Sequence, residues 1–197
     1  PERTRQAARI LDAAAACFAR RGFQATSMDE IIGAAGMSSS TVYRYFPTVE
    51  SLMVATAVSS VDGFLDRLAS ELGAITDPSE AVVEGIAYTA EQIPHDRYLS
   101  LVLQPGKASA FTAGVTSDLA IEFGKSILQR FDIDWAAVGF DGDIFDQLVE
   151  FMLRTLQSFI VDPGGPSRHD SGLRTYLRDW VAPAVSARTT YPSSPAP

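Results

Sequence analysis

Apolar positions recur three and four residues apart along most of the chain, and strand-like alternation is absent, so the pattern predicts helices throughout. Ala7, Ile10, Leu11, Ala14 and Phe18 form a first stripe, which Arg20, Arg21 and Gly22 close with a basic last turn and a glycine. Ser27 followed by Glu30 is a capping-box pair, so a second helix starts at Met28, with Met28, Ile31, Ile32 and Ala35 on one face. Gly36 stands where the chain must turn sharply, and Ser38 caps a third helix of barely two turns, Ser39 to Phe46, which Pro47 stops. Within it Val42 and Phe46 point inward, while Ser40, Tyr43 and Arg44 share the opposite side. Two short helices around a glycine turn, the second exposing hydroxyls, a phenol and a guanidinium, have the layout of a helix-turn-helix that enters the major groove of DNA.

Beyond Thr48, which can cap the next element, Leu52, Ala55, Val58, Val61, Leu65, Leu68 and Leu72 mark one long helix ending at Gly73. Asp77-Pro78-Ser79-Glu80 opens another that runs to about Ile93. Residues 94 to 116 contain Pro94, Pro105, Gly106 and Gly114 and break into a short helix and loops, and a further helix spans about Ser117 to Phe131. Phe145, Leu148, Val149, Met152, Leu156, Phe159 and Ile160 give a stripe so wide that one partner could hardly cover it. Leu173, Tyr176, Leu177, Trp180, Val181 and Ala184 give another, ending near Pro183. The last residues are a Pro/Ser tail predicted to be disordered.

Charge argues against DNA at first, because the 197-residue chain is net −8 and phosphate repels acidic proteins. Its distribution along the chain removes the objection. Residues 1–52 carry six Arg against five acids, whereas residues 53–197 carry ten basic and nineteen acidic residues. Arg3, Arg5 and Arg9 are spaced to follow a phosphate backbone or reach a minor groove, and for Arg3 and Arg5 a frayed, solvated N-terminus is an equal alternative. No run approaches the ~20 apolar residues of a membrane span, and no secretory leader pattern is visible. The lone Cys17 is read as a buried structural thiol that cannot pair within one chain, in keeping with a cytoplasmic protein.

Residues 26–52 resemble the DNA-binding domain of the tetracycline-repressor (TetR) family of bacterial one-component regulators. The resemblance rests on Thr26 or Ser27, Ile31, Ile32, Ala35, Gly36, Met37, Ser38, Thr41, Val42, Tyr43, Tyr45, Phe46, Glu50 and Leu52. Two positions depart from the family pattern. A lysine usual just after the recognition helix is Val49, which removes one phosphate contact, and a common glycine within it is Ser40, which adds a hydroxyl. The resemblance implies an all-α protein of about nine helices. Residues 1–47 would form a three-helix DNA-binding domain, 48–187 a larger ligand-binding and dimerisation domain, and 188–197 a disordered tail. DNA contacts are expected from Ser27, Ser38, Ser39, Ser40, Thr41, Tyr43, Arg44, Tyr45 and Thr48, with Arg3 and Arg5.

The same resemblance implies that the two late helices pair with those of a second copy, through Phe145, Leu148, Val149, Met152, Leu156, Phe159, Leu173, Tyr176, Leu177, Trp180 and Val181. The alternative is that both helices pack inside the monomer. A two-fold protein would match a palindromic operator, and a cavity between the two regions would bind a small effector. Candidate lining residues are Phe64, Leu68, Ile86, Tyr88, Leu99, Leu103, Phe111, Phe123, Ile127 and Trp135, each of which is equally readable as core. Glu84, Glu91, Asp96 and Glu122 are candidate polar anchors. Aromatic residues with few bases there suggest an apolar or amphipathic ligand.

Enzyme readings are weak. His95 and His169 belong to no triad spacing, and no phosphate-cradling Gly motif, Cys or His metal pair or nucleophile elbow occurs, so no cofactor is expected. The run Asp132, Asp134, Asp141, Asp143 and Asp146 lacks calcium-loop spacing and reads as loop solvation plus a helix cap. The competing function is a helical small-molecule-binding protein without sequence-specific DNA binding.

Overall fold

The computed structural model describes residues 2–96, 99, 117–165 and 171–190. Every regular element among them is helical: α1 (Glu2–Arg21), α2 (Met28–Ala35), α3 (Ser39–Tyr45), α4 (Val49–Leu72), α5 (Pro78–Gln92) with a 3₁₀ turn (Ile93–His95), α6 (Asp118–Leu128), α7 (Gly142–Val161), α8 (Ser171–Trp180) and α9 (Ala182–Thr190).

A first core joins Ile10, Ala14, Cys17 and Phe18 of α1 to Met28, Ile31 and Ala35 of α2, Val42 of α3 and Leu52 of α4. Local rules set the turns between them. Ser27 and Glu30 satisfy each other's backbone amides as a capping box, and Gly36 adopts the left-handed conformation (φ 62°) that ends α2. Thr26 is buried, and its hydroxyl donates to Gly22 O at 2.8 Å, tying the α1–α2 turn to the end of α1.

A second core surrounds α5, in which residues 81–89 are all buried. A helix covered on every side shows no amphipathic stripe, and α4, α6, α7, α8 and α9 supply the cover. Asp77 caps α5, and hydrogen bonds from the Ser79 hydroxyl and the Glu80 amide hold its carboxyl below the usual range. Gly124 lets α6 lie close on α7, since a Cβ there would sit 2.6 Å from Val149 Cγ1.

α4 belongs to both cores, with Leu52 in the first and Phe64, Leu65 and Leu68 in the second. The even stripe read from the sequence therefore breaks in the middle. Val58 is 55% exposed and Thr56 is buried instead, because the helix leaves one core before it enters the other.

Three other expectations change. The first helix starts before its apolar stripe, at Glu2, so Arg3, Arg5 and Arg9 lie within α1. Pro183 does not stop the last helix. It lies in the first turn of α9, where a missing N–H costs nothing, and Val185 is buried beyond it. That helix reaches Thr190, so residues 188–190 are helical rather than disordered tail.

Candidate nucleic-acid interface

α3 is placed by what lies beneath it. Val42 is fully buried in the first core, and Phe46, half-buried, ends the helix through its amide on Val42 O. On the outside Ser39, Ser40, Tyr43 and Arg44 are exposed, Tyr43 by 47%. Ser40 and Tyr43 are one turn apart, so the hydroxyl and the phenol share a face.

The other sequence candidates divide by what their polar atoms already do. Ser38 Oγ accepts from the Thr41 amide (3.3 Å) and lies 2.8 Å from Thr41 Oγ1, so both hydroxyls serve the cap of α3. Thr48 caps α4 reciprocally with Ser51, and Ser27 caps α2 with Glu30. Tyr45 is half-buried rather than presented outward, and its hydroxyl donates to Gln6 Oε1 at 2.9 Å. Arg3 and Arg44 each lie against the Tyr45 ring, with guanidinium carbons 5.9 and 5.5 Å from its centroid.

The arginines of this unit fall into two groups. Arg21 pairs with Glu30 (2.6 Å), Arg9 donates to Ala35 O (3.2 Å), and Arg20 leans on Cys17 Sγ (3.8 Å). Arg3, Arg5 and Arg44 are exposed and form no ion pair among the described residues. The structure thus brings the exposed face of α3 and the cations of α1's first turns to the same end of the first core. Gln6, which the sequence reading omits, is the link, and its 39-residue separation from Tyr45 left no local signal.

The ligand candidates behave differently. Phe64, Leu68, Ile86, Tyr88, Leu99 and Ile127 are all buried in the second core. Tyr88 and half-buried Phe123 both pack on Phe64, with centroids 5.8 and 5.9 Å apart. The Tyr88 hydroxyl donates to Glu71 (3.3 Å), and burial, reinforced by Glu71, raises its pKa. Trp135 faces elsewhere. It packs on Phe140 and Phe145, donates from Nε1 to Leu128 O (3.0 Å), and lines an open cleft of about 490 Å³ that none of the other described candidates lines. Leu103 and Phe111 lie outside the described residues, as does His169.

The four proposed polar anchors are engaged within the chain. Arg174 Nε donates to both oxygens of Glu84 (3.0 and 2.8 Å), and its terminal nitrogens hold Glu91. Arg178 bonds Glu80 and reaches Glu84 at 3.1 Å. Asp96 pairs with Arg67, and Glu122 with Lys125. Glu84, 7% exposed, thus enters the buried run of α5 as one end of a staple to α8. The acidic run is likewise local: Asp146 meets Lys125 at 2.8 Å, and Asp134 accepts from the Ala137 amide.

Of the eleven residues expected at a dimer face, Leu148, Val149, Met152, Leu156, Leu173, Leu177 and Val181 are buried by the chain itself. What faces outward is Trp180, 72% exposed, in a chain of ring contacts with half-buried Tyr176 and Phe159 (6.5 and 5.8 Å), while half-buried Phe145 packs on Trp135. Phe151 and Val161, outside that set, are exposed as well.

A sequence profile described as "Bacterial regulatory proteins, tetR family" matches residues 10–56. An uncharacterised HTH-type transcriptional regulator of Mycobacterium tuberculosis (strain H37Rv) is 27% identical over 183 residues, covering 90% of this chain and 84% of its own. The HTH-type transcriptional repressor KstR2 of Rhodococcus jostii is 27% identical over 178 residues, covering 85% of each chain. Among solved structures, Salmonella enterica GusR superposes with a TM-score of 0.59 at 22% identity, over 94% of this chain and 95% of its own.

Proposed function

The chain belongs to the tetracycline-repressor family of bacterial regulatory proteins and is a DNA-binding transcriptional regulator, and from that premise we propose that it acts as a homodimeric repressor, reading a palindromic operator with α3 and released by a small apolar or amphipathic ligand. The observation that carries this reading is the exposed edge of Ser40, Tyr43 and Arg44 on a short helix whose other side, at Val42, is fully buried. A rigidly backed helix with a polar outer face is what the major groove admits.

A two-fold arrangement is supported by the aromatic surface Phe159–Tyr176–Trp180 where α7 meets α8, because an exposed tryptophan continuous with half-buried rings marks an association surface. In a dimer built there, the two copies of α3 would read half-sites about one DNA turn apart, ~34–36 Å, or a little more.

The switch follows from α4, whose two ends are packed into different cores. A ligand that binds more tightly to the form with wrongly spaced α3 helices must weaken operator binding by the same factor. A panel of fatty-acyl, aromatic and cationic compounds should contain apolar or amphipathic members that raise the melting temperature and, at the same concentrations, release operator DNA. Binding without release would remove the switch.

Capture of genomic fragments followed by footprinting tests the whole reading, and should return a site with two-fold symmetry. On that site Tyr43→Ala should cost about 1–3 kcal/mol, while binding to random duplex changes little. Equal losses on both duplexes would move Tyr43 from the bases to the backbone. The fold should be unaffected, since Tyr43 is half-exposed.

A further inference from the structure

We propose that Tyr45 is a positioning residue, whose ring holds Arg3 and Arg44 as one composite clamp for the phosphodiester backbone of duplex DNA beside the groove that α3 reads. This deepens the DNA-binding reading above and rests on it.

Tyr45 itself is poorly placed to touch DNA. It is half-buried, and its hydroxyl is committed to Gln6 Oε1 at 2.9 Å. Gln6 Nε2 in turn donates to Glu2 Oε1 at 3.3 Å, which orients the amide with its oxygen toward the phenol. The latch therefore ties the second turn of α1 to the last turn of α3, 39 residues away.

On that latched ring sit two guanidiniums, Arg3 from α1 and Arg44 from α3, both within the ~6 Å reach of a cation–π contact. Neither has a carboxylate partner among the described residues, and both are exposed. Both guanidiniums are held by one ring with no carboxylate among the described residues to neutralise them, so the phosphates of a duplex docked on α3 would supply the missing counter-charge. Guanidinium forks suit phosphate oxygens, and the adjacent α3 face supplies the register along the duplex.

The test uses the full chain, with fluorescence anisotropy on its selected genomic duplex and on random duplex between 50 and 300 mM KCl. Arg3→Gln and Arg44→Gln should each weaken both duplexes similarly and lower the slope of log K against log salt by about 0.9. Tyr45→Leu should reproduce both losses at once, and adding Arg3→Gln to it should then cost little more. Tyr45→Phe keeps the ring and should recover most of the slope. Tyr45→Met replaces Tyr45→Leu if the latter melts early.

An Arg3→Gln penalty undiminished in the Tyr45→Leu or Tyr45→Met background would overturn the clamp, as would an unchanged salt slope in either. If the unaltered protein binds no duplex at all, the DNA-binding reading falls and the clamp with it. If it binds and the three side chains act independently, only the clamp falls.

Discussion

Arg174→Met should lower the unfolding free energy by about 3 kcal/mol, measured as a fall in the denaturant midpoint with an unchanged m-value. Arg174 lies between Glu84 and Glu91, and its side chain is 24% exposed against 10% for Glu84. Hydrogen bonds to Glu91, and then to Glu84, push the guanidinium pKa above its ordinary value, so it is charged at every accessible pH. Removing it leaves Glu84 inside the buried run of α5 with Arg178 as its remaining partner at 3.1 Å. Breaking a buried pair from one side typically costs about 3–5 kcal/mol, and that surviving contact sets the lower end here. Arg174→Met combined with Glu84→Leu should recover most of the loss, because a well-packed apolar pair avoids both desolvation penalties. A loss below about 1 kcal/mol for Arg174→Met alone would mean that the staple behaves like an exposed surface pair.

That staple also marks where the sequence stops being readable. The reading unit was legible because each of its rules acts over three or four residues: Ser27 with Glu30, the left-handed Gly36, Ser38 with Thr41, and Val42 beneath Tyr43. α5 was located by Asp77 and Pro78, but not its role, since a helix buried on all sides has no polar face to give periodicity. Glu84 and Glu91 in such a helix looked like ligand anchors, because the arginine that neutralises both lies more than eighty residues further on. Pro183 was ambiguous for a local reason, since the same residue ends one helix or begins another depending on where the preceding one stops.

The stripes of α7 and α8 show a different limit. Periodicity identifies which side of a helix is apolar, but it does not distinguish cover by the same chain from cover by a second one. Leu148, Val149, Met152 and Leu156 meet α5, α6 and their neighbours within the monomer, leaving the Trp180 edge, with Phe151 and Val161, as the apolar surface a second copy can reach. Tyr45 illustrates the same limit, since its pattern position suggested a contact to DNA and its neighbours in space give it Gln6.

Trp180→Glu should weaken operator binding by about 10²- to 10⁴-fold, because in the proposed dimer it acts on the joining of two reading heads. Once one copy of α3 is seated, a linked second copy binds as an intramolecular event, and that gain disappears when the copies separate. Trp180 is 72% exposed at the end of α8, so a carboxylate there is solvated in the monomer and leaves the chain's own core intact. In a dimer built on the Phe159–Tyr176–Trp180 surface, the same carboxylate would be desolvated against rings. Sedimentation of the DNA-free variant should therefore show a monomer with an unchanged melting transition, and its residual DNA binding should approach that on random duplex. A variant that sediments as before and binds its operator undiminished would place the two-fold contact on another surface.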